Sequence, residues 1–156
     1  MLDNPSLPAL LLIAPLLIYA GYSDLRLLKI PNWISLAMLA ASVVFLPMLP
    51  GSEIGARAVA AIVIFGIGFV LFALNTLGAG DVKMLTALML FVPSGMLQVF
   101  LLMLSVALLV SIGLITVARW HPLPAVQHWH SIATPRSLPM GVAISAAGLG
   151  LIPVLI

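Results

Sequence analysis

The sequence predicts an all-α, polytopic membrane protein of about six transmembrane helices, with the N- and C-termini outside. Of its 156 residues, 63% are hydrophobic and 6% are charged, whereas a soluble domain has about 25% charged residues. Six Lys or Arg and four Asp or Glu are too few to cover a soluble surface or to bind a nucleic-acid backbone. The chain has no cysteine, which excludes disulfides, thiolate metal sites and a cysteine nucleophile.

Six apolar segments are separated by turns rich in Gly, Pro and Asn. A transmembrane helix needs roughly 20 apolar residues to cross about 30 Å of hydrocarbon. Five segments approach or reach that length, whereas the fourth, with eleven residues, gives only about 16 Å of helix. The predicted helices are Leu7–Ser23, Pro31–Leu49, Ala58–Leu77, Val82–Val92, Leu97–Ala118 and Leu138–Ile156.

The first segment is predicted to be a retained helix and not a cleaved signal peptide. A signal peptide begins with a positively charged region, whereas residues 1–6 contain Asp3 and no Lys or Arg. We therefore expect a single membrane-embedded domain over residues 1–156, without a soluble domain.

The basic residues indicate the orientation of the helices. If all six segments cross the membrane and the N-terminus is outside, only Arg57 lies on the outer side, and the other five cations lie on the cytoplasmic side. This distribution agrees with the positive-inside rule and would be lost if the short fourth segment did not cross. The five cytoplasmic cations are Arg26, Lys29, Lys83, Arg119 and Arg136.

Two of the four acidic residues have simple structural interpretations. Asp3 lies in the N-terminal tail, where water solvates it. Glu53 and Arg57 are four residues apart at the outer start of the third segment, and this spacing favours a helical ion pair.

The other two acids, Asp24 and Asp81, are predicted to meet at the cytoplasmic edge. They are distant in the chain, but the topology places both at the same membrane face. Two carboxyl groups in an apolar setting suit an aspartic protease, in which one is protonated and the other accepts a proton from water. Taken singly, Asp24 could instead pair with Arg26 or Lys29, and Asp81 could be the N-cap of the fourth helix.

Three segments in this order resemble the type IV prepilin peptidase family of GxGD intramembrane aspartic proteases. Residues 78–81 match the GxGD motif, and the Val-Lys-Met-Leu at 82–85 is similar to its continuation in this family. Residues 24–32 resemble the segment of the first aspartate, with basic residues and a closing Ile-Pro-Asn. Residues 138–143 are similar to the final Pro-x-Gly-x-Ala segment. The likeness is strongest to the short peptidases that serve Flp, or tight-adherence, pili.

The resemblance implies an aspartic endopeptidase of the bacterial inner membrane, without a metal or other cofactor. Its substrate would be a prepilin or pseudopilin with a short basic leader followed by an apolar helix in the lipid bilayer. The enzyme would remove the leader at the cytoplasmic boundary, for type IV or Flp pilus assembly or for secretion. Longer relatives carry Cys-x-x-Cys motifs associated with N-methylation. This chain has none, so a methyltransferase domain is not expected, and the oligomeric state is left open.

The resemblance implies that Asp24 and Asp81 are the catalytic pair. Asp81 opens the fourth helix, where the positive end of the helix dipole stabilises a carboxylate, and Asp24 follows the C-terminal end of the first helix. These positions favour Asp81 as the ionised base and Asp24 as the proton carrier, although the pair titrates as one unit.

Five further residues are predicted to shape this site. Gly78 and Gly80 permit a tight turn and a close approach of the substrate to the second aspartate. Pro31 and Asn32 set the start of the second helix. Lys83 either binds an acidic group of a substrate or lipid, lowers the pKa of the aspartate pair, or extends to the membrane interface.

Three histidines lie in the segment between the last two predicted helices. Their spacing does not place them on one face of a regular element, and no acid accompanies them. With Trp120 and Trp129 nearby, we interpret this segment as an interfacial loop and not as a metal site. The histidines are His121, His128 and His130.

Two other functions remain open from the sequence. A small ion- or proton-coupled transporter would also carry acids within the membrane, but it would favour acids at the midplane and a repeat symmetry that is not evident here. A non-catalytic subunit of a pilus or secretion assembly would tolerate the loss of both Asp24 and Asp81.

Overall fold

The computed structural model describes residues 6–120 and 139–156, and these are helical, without a strand among them. They form six α-helices, as the sequence predicts. Single turns of 3-10 helix, Leu46–Met48 and Ser94–Met96, follow the second helix and precede the fifth. The α-helices are α1 (Ser6–Leu27), α2 (Asn32–Phe45), α3 (Gly51–Ala73), α4 (Ala79–Met89), α5 (Leu97–Trp120) and α6 (Met140–Leu155).

Prolines mark the starts of several helices. Pro31, Pro50 and Pro139 each directly precede the first residue of a helix, namely α2, α3 and α6. Proline has no backbone N–H, and the first N–H groups of a helix have no partner within it, so proline is well tolerated there. These prolines therefore mark where α2, α3 and α6 begin.

The largest difference from the predicted boundaries lies at α3, which begins at Gly51 instead of Ala58. The two charges in these first two turns, Glu53 and Arg57, bond to each other at 3.1 Å. Because each neutralises the other, the helix extends through them. At the other end of the bundle, α1 extends one turn beyond Ser23 and therefore includes Asp24.

The short helix α4 is enclosed by its neighbours. It packs against α2, α3 and α6, while α6 also packs against α1 and α5. Met84, Ala87 and Leu88 on α4 have no exposed surface. Because α6 contacts both α1 and α4, it fixes the position of one helix against the other. Asp24 lies at the end of α1, and Asp81 lies at the start of α4.

The long helices present apolar side chains outward. Among the described residues, three stretches are long and apolar enough to cross a membrane: Ser6–Leu27, Gly51–Ala73 and Ser94–Ala118. Asn32–Met48 and Met140–Leu155 are apolar but shorter. Large hydrophobic side chains on α3 and α5, such as Ile62 and Leu109, are each 70% exposed. An all-helical protein with this surface is typical of a membrane protein.

Arg57 holds the C-terminal end of α4. The predicted pair with Glu53 is confirmed, but Arg57 is only 2% exposed and makes three further bonds. Its guanidinium donates to the carbonyl oxygens of Leu90 and Phe91, at 3.3 Å each, and to Ser6 Oγ at 2.7 Å. One side chain thus joins the starts of α1 and α3 to the end of α4.

These contacts account for the shortness of α4. The last carbonyl groups of a helix lack donors within the helix, and the negative end of its dipole favours a nearby cation. Lipid supplies neither. The buried guanidinium supplies both, so α4 can end after 11 residues.

We predict that Arg57→Leu destabilises the fold. Removing one partner of a buried, hydrogen-bonded ion pair costs about 3 kcal/mol in the free energy of unfolding, and here it also leaves two carbonyls without donors. Unfolding by sodium dodecyl sulfate in mixed micelles, followed by circular dichroism, measures the change. Ile62→Leu, on the exposed face of α3, is the control, and equal stability of the two variants would contradict this role for Arg57.

Candidate active site

Asp24 lies in the last turn of α1 and is 5% exposed. Its Oδ2 accepts a hydrogen bond of 2.7 Å from the backbone N–H of Gly141, 117 residues later, in the first turn of α6. Within the described residues, no ion pair joins Asp24 to Arg26 or Lys29, and the Arg26 guanidinium donates instead to the hydroxyl of Tyr22. Asp24 is therefore a buried group between two helices and not a solvated loop acid.

Asp81 is the third residue of α4, and the N-cap of this helix is Gly78. The sequence-based alternative of an N-cap at Asp81 is thus wrong, because the helix begins two residues earlier. One carboxylate oxygen, Oδ2, folds back toward Gly78. The other, Oδ1, is buried and has no hydrogen-bond partner among the described residues.

Both aspartates line one cavity of about 460 Å³. The Asp81 carboxylate is near enough to act electrostatically on Asp24. The cavity is bounded by the end of α1, the loop from α1 to α2 and the start of α4. Its lining residues are Ser23, Asp24, Leu27, Leu28, Lys29, Ile30, Pro31, Asn32, Gly78, Ala79, Gly80 and Asp81.

The loop from α1 to α2 is held in a defined conformation. Leu28 has φ of 53°, in the left-handed region, and its N–H donates to the Asp24 carbonyl at 2.8 Å. This conformation costs a non-glycine residue about 1 kcal/mol. The Ser23 hydroxyl fixes the loop further, since it donates to the Lys29 carbonyl at 2.8 Å. The loop can therefore form a wall of the cavity.

The glycines at this site are needed for the space that a missing side chain leaves. They are not needed for a left-handed backbone conformation, since no described glycine has a positive φ. A Cβ on Gly78 would lie 2.6 Å from Asp81 Oδ2, and a Cβ on Gly80 would lie 3.1 Å from Ile30 Cβ. Gly78 thus leaves room for the carboxylate, and Gly80 allows the start of α4 to approach the loop before α2.

Gly141 also belongs to the site, although it is not among the residues predicted to shape it. A Cβ there would lie 2.9 Å from Asp24 Oδ2 and 2.7 Å from Ile30 Cδ1. Gly141 is the glycine of the Pro-x-Gly-x-Ala segment, so the resemblance could have indicated that it matters. Nothing in the sequence alone connects this glycine to Asp24.

Pro31 and Asn32 lie at the start of α2 and line the cavity. Lys83 is exposed and does not line it. Its Nζ donates to Asn32 Oδ1 at 3.1 Å and borders a separate groove. The ammonium group is therefore held beside the aspartate cavity instead of within it.

The structure removes one argument for different roles of the two aspartates. Asp24 lies near the C-terminus of α1, but its carboxylate also accepts a backbone N–H at the N-terminus of α6. Each carboxylate thus faces the positive end of a helix. The assignment of Asp81 as the base and Asp24 as the proton carrier therefore stays a prediction.

The predicted interfacial loop with His121, His128 and His130 lies outside the described residues. Its interpretation stays a prediction.

The family of the chain follows from a comparison of its sequence with models of known protein families. A sequence model of the type IV leader peptidase family, Peptidase_A24, matches residues 11–117. The chain belongs to the type IV leader peptidase family. The match covers more than half of the chain and includes both aspartates, while no curated protein and no solved structure matched. Membership in this family identifies the protein as a peptidase and confirms the resemblance found in the sequence.

Proposed function

We propose that this type IV leader peptidase is an aspartic endopeptidase of the GxGD class that uses Asp24 and Asp81. The observation that carries the proposal is the cavity lined by both aspartates, with a buried Asp81 oxygen that lacks a partner among the described residues. Buried polar atoms are nearly always bonded. A free carboxylate oxygen in a cavity is therefore suited to bind a water molecule or a substrate.

The reaction needs one protonated and one ionised carboxyl group. The ionised group accepts a proton from water, and the water oxygen forms a bond to the scissile carbonyl carbon, while the protonated group donates its proton to the carbonyl oxygen. The C–N bond then breaks as the carbonyl re-forms. The nitrogen takes up the proton held by the first carboxyl group, and a hydroxyl of the tetrahedral intermediate returns its proton to the second. Burial and proximity favour a single charge shared by two carboxyl groups.

The substrate proposed here is a prepilin or pseudopilin of the type IV or Flp kind, cut at the cytoplasmic boundary of the bacterial inner membrane. The cations nearest the aspartates, Arg26, Lys29 and Lys83, all lie at one end of the bundle. Arg57, the cation assigned to the other side, is buried and already bonded. The accessible positive charge of the described residues thus supports a cytoplasmic position for the aspartate end.

The proposal is tested by cleavage of a leader-bearing precursor. The full-length protein in membranes is expected to convert a Flp-type prepilin to a shorter product, and mass spectrometry of both products identifies the bond. A precursor with its apolar helix intact but its leader already deleted is the matched control and stays uncut. Failure to cleave any of several prepilin classes by a correctly folded protein would contradict the proposed function.

A further inference from the structure

A second cavity of about 580 Å³ lies beside the aspartate cavity, between α2, α3 and α4. This groove lies within the size range of ligand sites. Its walls are largely apolar, and Leu36, at 67% exposure, lies on the accessible side. The lining residues are Asn32, Trp33, Ser35, Leu36, Leu39, Phe65, Lys83, Thr86 and Ala87. Neither aspartate lines this groove, so it is a separate site.

The two cavities adjoin at the start of α2. Asn32 lines both of them, and its side-chain oxygen accepts the bond from Lys83 at the boundary. A chain held across the aspartate pair would therefore reach the groove by passing Asn32 and Lys83.

A buried polar atom beside the groove, without a partner in the described part of the chain, distinguishes a lipid from a peptide as the occupant of the groove. Ser35 is 4% exposed, and its hydroxyl oxygen has no hydrogen-bond partner among the described residues. Thr86, in the same groove, uses its hydroxyl to donate to the Val82 carbonyl at 2.7 Å. A lipid acyl chain offers nothing to the Ser35 hydroxyl, whereas a peptide main chain offers both a donor and an acceptor.

We propose that this groove binds the apolar segment of the substrate that follows the scissile bond, with the Ser35 hydroxyl bonded to its main chain. The inference rests on the proposed function and specifies where the substrate lies. The basic leader is excluded from the groove because the Lys83 ammonium borders it, and like charges repel there. Apolar walls favour the hydrophobic segment instead.

Two pairs of variants test the proposal on the full-length protein in nanodiscs with a cleavable precursor. Leu36→Trp fills the groove, and Leu109→Trp is its control, since Leu109 is 70% exposed on α5 and does not line the groove. Ser35→Ala removes the free hydroxyl. Ser145→Ala is its control, because Ser145 is 4% exposed, equally without a partner among the described residues, and outside the groove.

We expect Leu36→Trp to raise KM by about tenfold or more with kcat nearly unchanged, which is the signature of lost substrate binding. Ser35→Ala should raise KM by about threefold to tenfold, the effect of one hydrogen bond, without lowering the melting temperature. Both controls should keep the wild-type KM. A merely structural role of Ser35 would instead lower the melting temperature.

The outcomes separate the two proposals. If the wild type cleaves and Leu36→Trp has the same KM as Leu109→Trp, the groove does not bind the substrate, and the proposed function stands. If Leu36→Trp lowers kcat at constant KM, the proposal that the groove binds the apolar substrate segment is also overturned. If the folded wild type cleaves no precursor, both proposals fail.

Discussion

Asp24→Asn and Asp81→Asn are each expected to reduce kcat for leader removal by at least about 1,000-fold. Asparagine has nearly the shape of aspartate, but it neither accepts the proton of the attacking water nor donates one to the carbonyl oxygen. Because the two groups act on one bond, the double variant should be no slower than either single variant. Single-turnover cleavage of a purified precursor in nanodiscs measures these rates.

The control for this loss is Glu53→Gln, since Glu53 lies at the opposite end of the bundle and contacts Arg57 and Ser94 instead of the cavity. Glutamine keeps the hydrogen bonds to Arg57 and Ser94 but removes the charge that pairs with Arg57, so the melting temperature should fall while the kcat of the folded protein stays near that of the wild type. If either aspartate variant retained a rate within about tenfold of the wild type, the affected carboxyl group would not be a reacting group.

Gly141→Ala is expected to lower kcat by about 100-fold, because displacement of a reacting group by about 1 Å costs that much. The new methyl group would lie 2.9 Å from Asp24 Oδ2 and 3.0 Å from Asp24 Cβ. Asp24 is buried, so its carboxyl group can yield only by moving within the cavity. Single-turnover rates measure the loss, and melting temperatures show whether the fold remains.

Two further variants make the steric argument for Gly141 testable. Gly66→Ala on α3 is the control, since a Cβ at Gly66 would have no atom within 4 Å. Ile30→Val removes Cδ1, which lies 2.7 Å from the position that a Cβ on Gly141 would take, and should restore part of the rate in the Gly141→Ala background. Wild-type kcat in Gly141→Ala would show that Asp24 does not depend on this close contact.

The six helices could be predicted because apolar runs and proline-containing turns are local features of the sequence. The short α4 is an example, since its 11 residues agree in length with the predicted segment. The reason that it can be short was not predictable. It depends on Arg57, whose partners Leu90 and Ser6 lie 33 and 51 residues away.

The aspartate pair could be predicted in part, because the predicted topology brings Asp24 and Asp81 to the same end of the helices. The environment of each carboxyl group could not. The hydrogen bond from Gly141 to Asp24 joins residues 117 positions apart. Asp81 Oδ1, which has no partner among the described residues, owes its position to the way in which α4 begins. Such contacts arise from helix packing, which leaves no local pattern in the sequence.

Thiol cross-linking shows directly whether Asp24 and Asp81 face one cavity. The chain has no cysteine, so Asp24→Cys with Asp81→Cys provides the only two thiols. We predict that a short bifunctional thiol reagent joins them within one molecule, as mass spectrometry of the digested protein would show. The pair Asp24→Cys with Glu53→Cys, at opposite ends of the bundle, should stay unlinked. Equal cross-linking of the two pairs, or none in the first, would contradict the shared cavity.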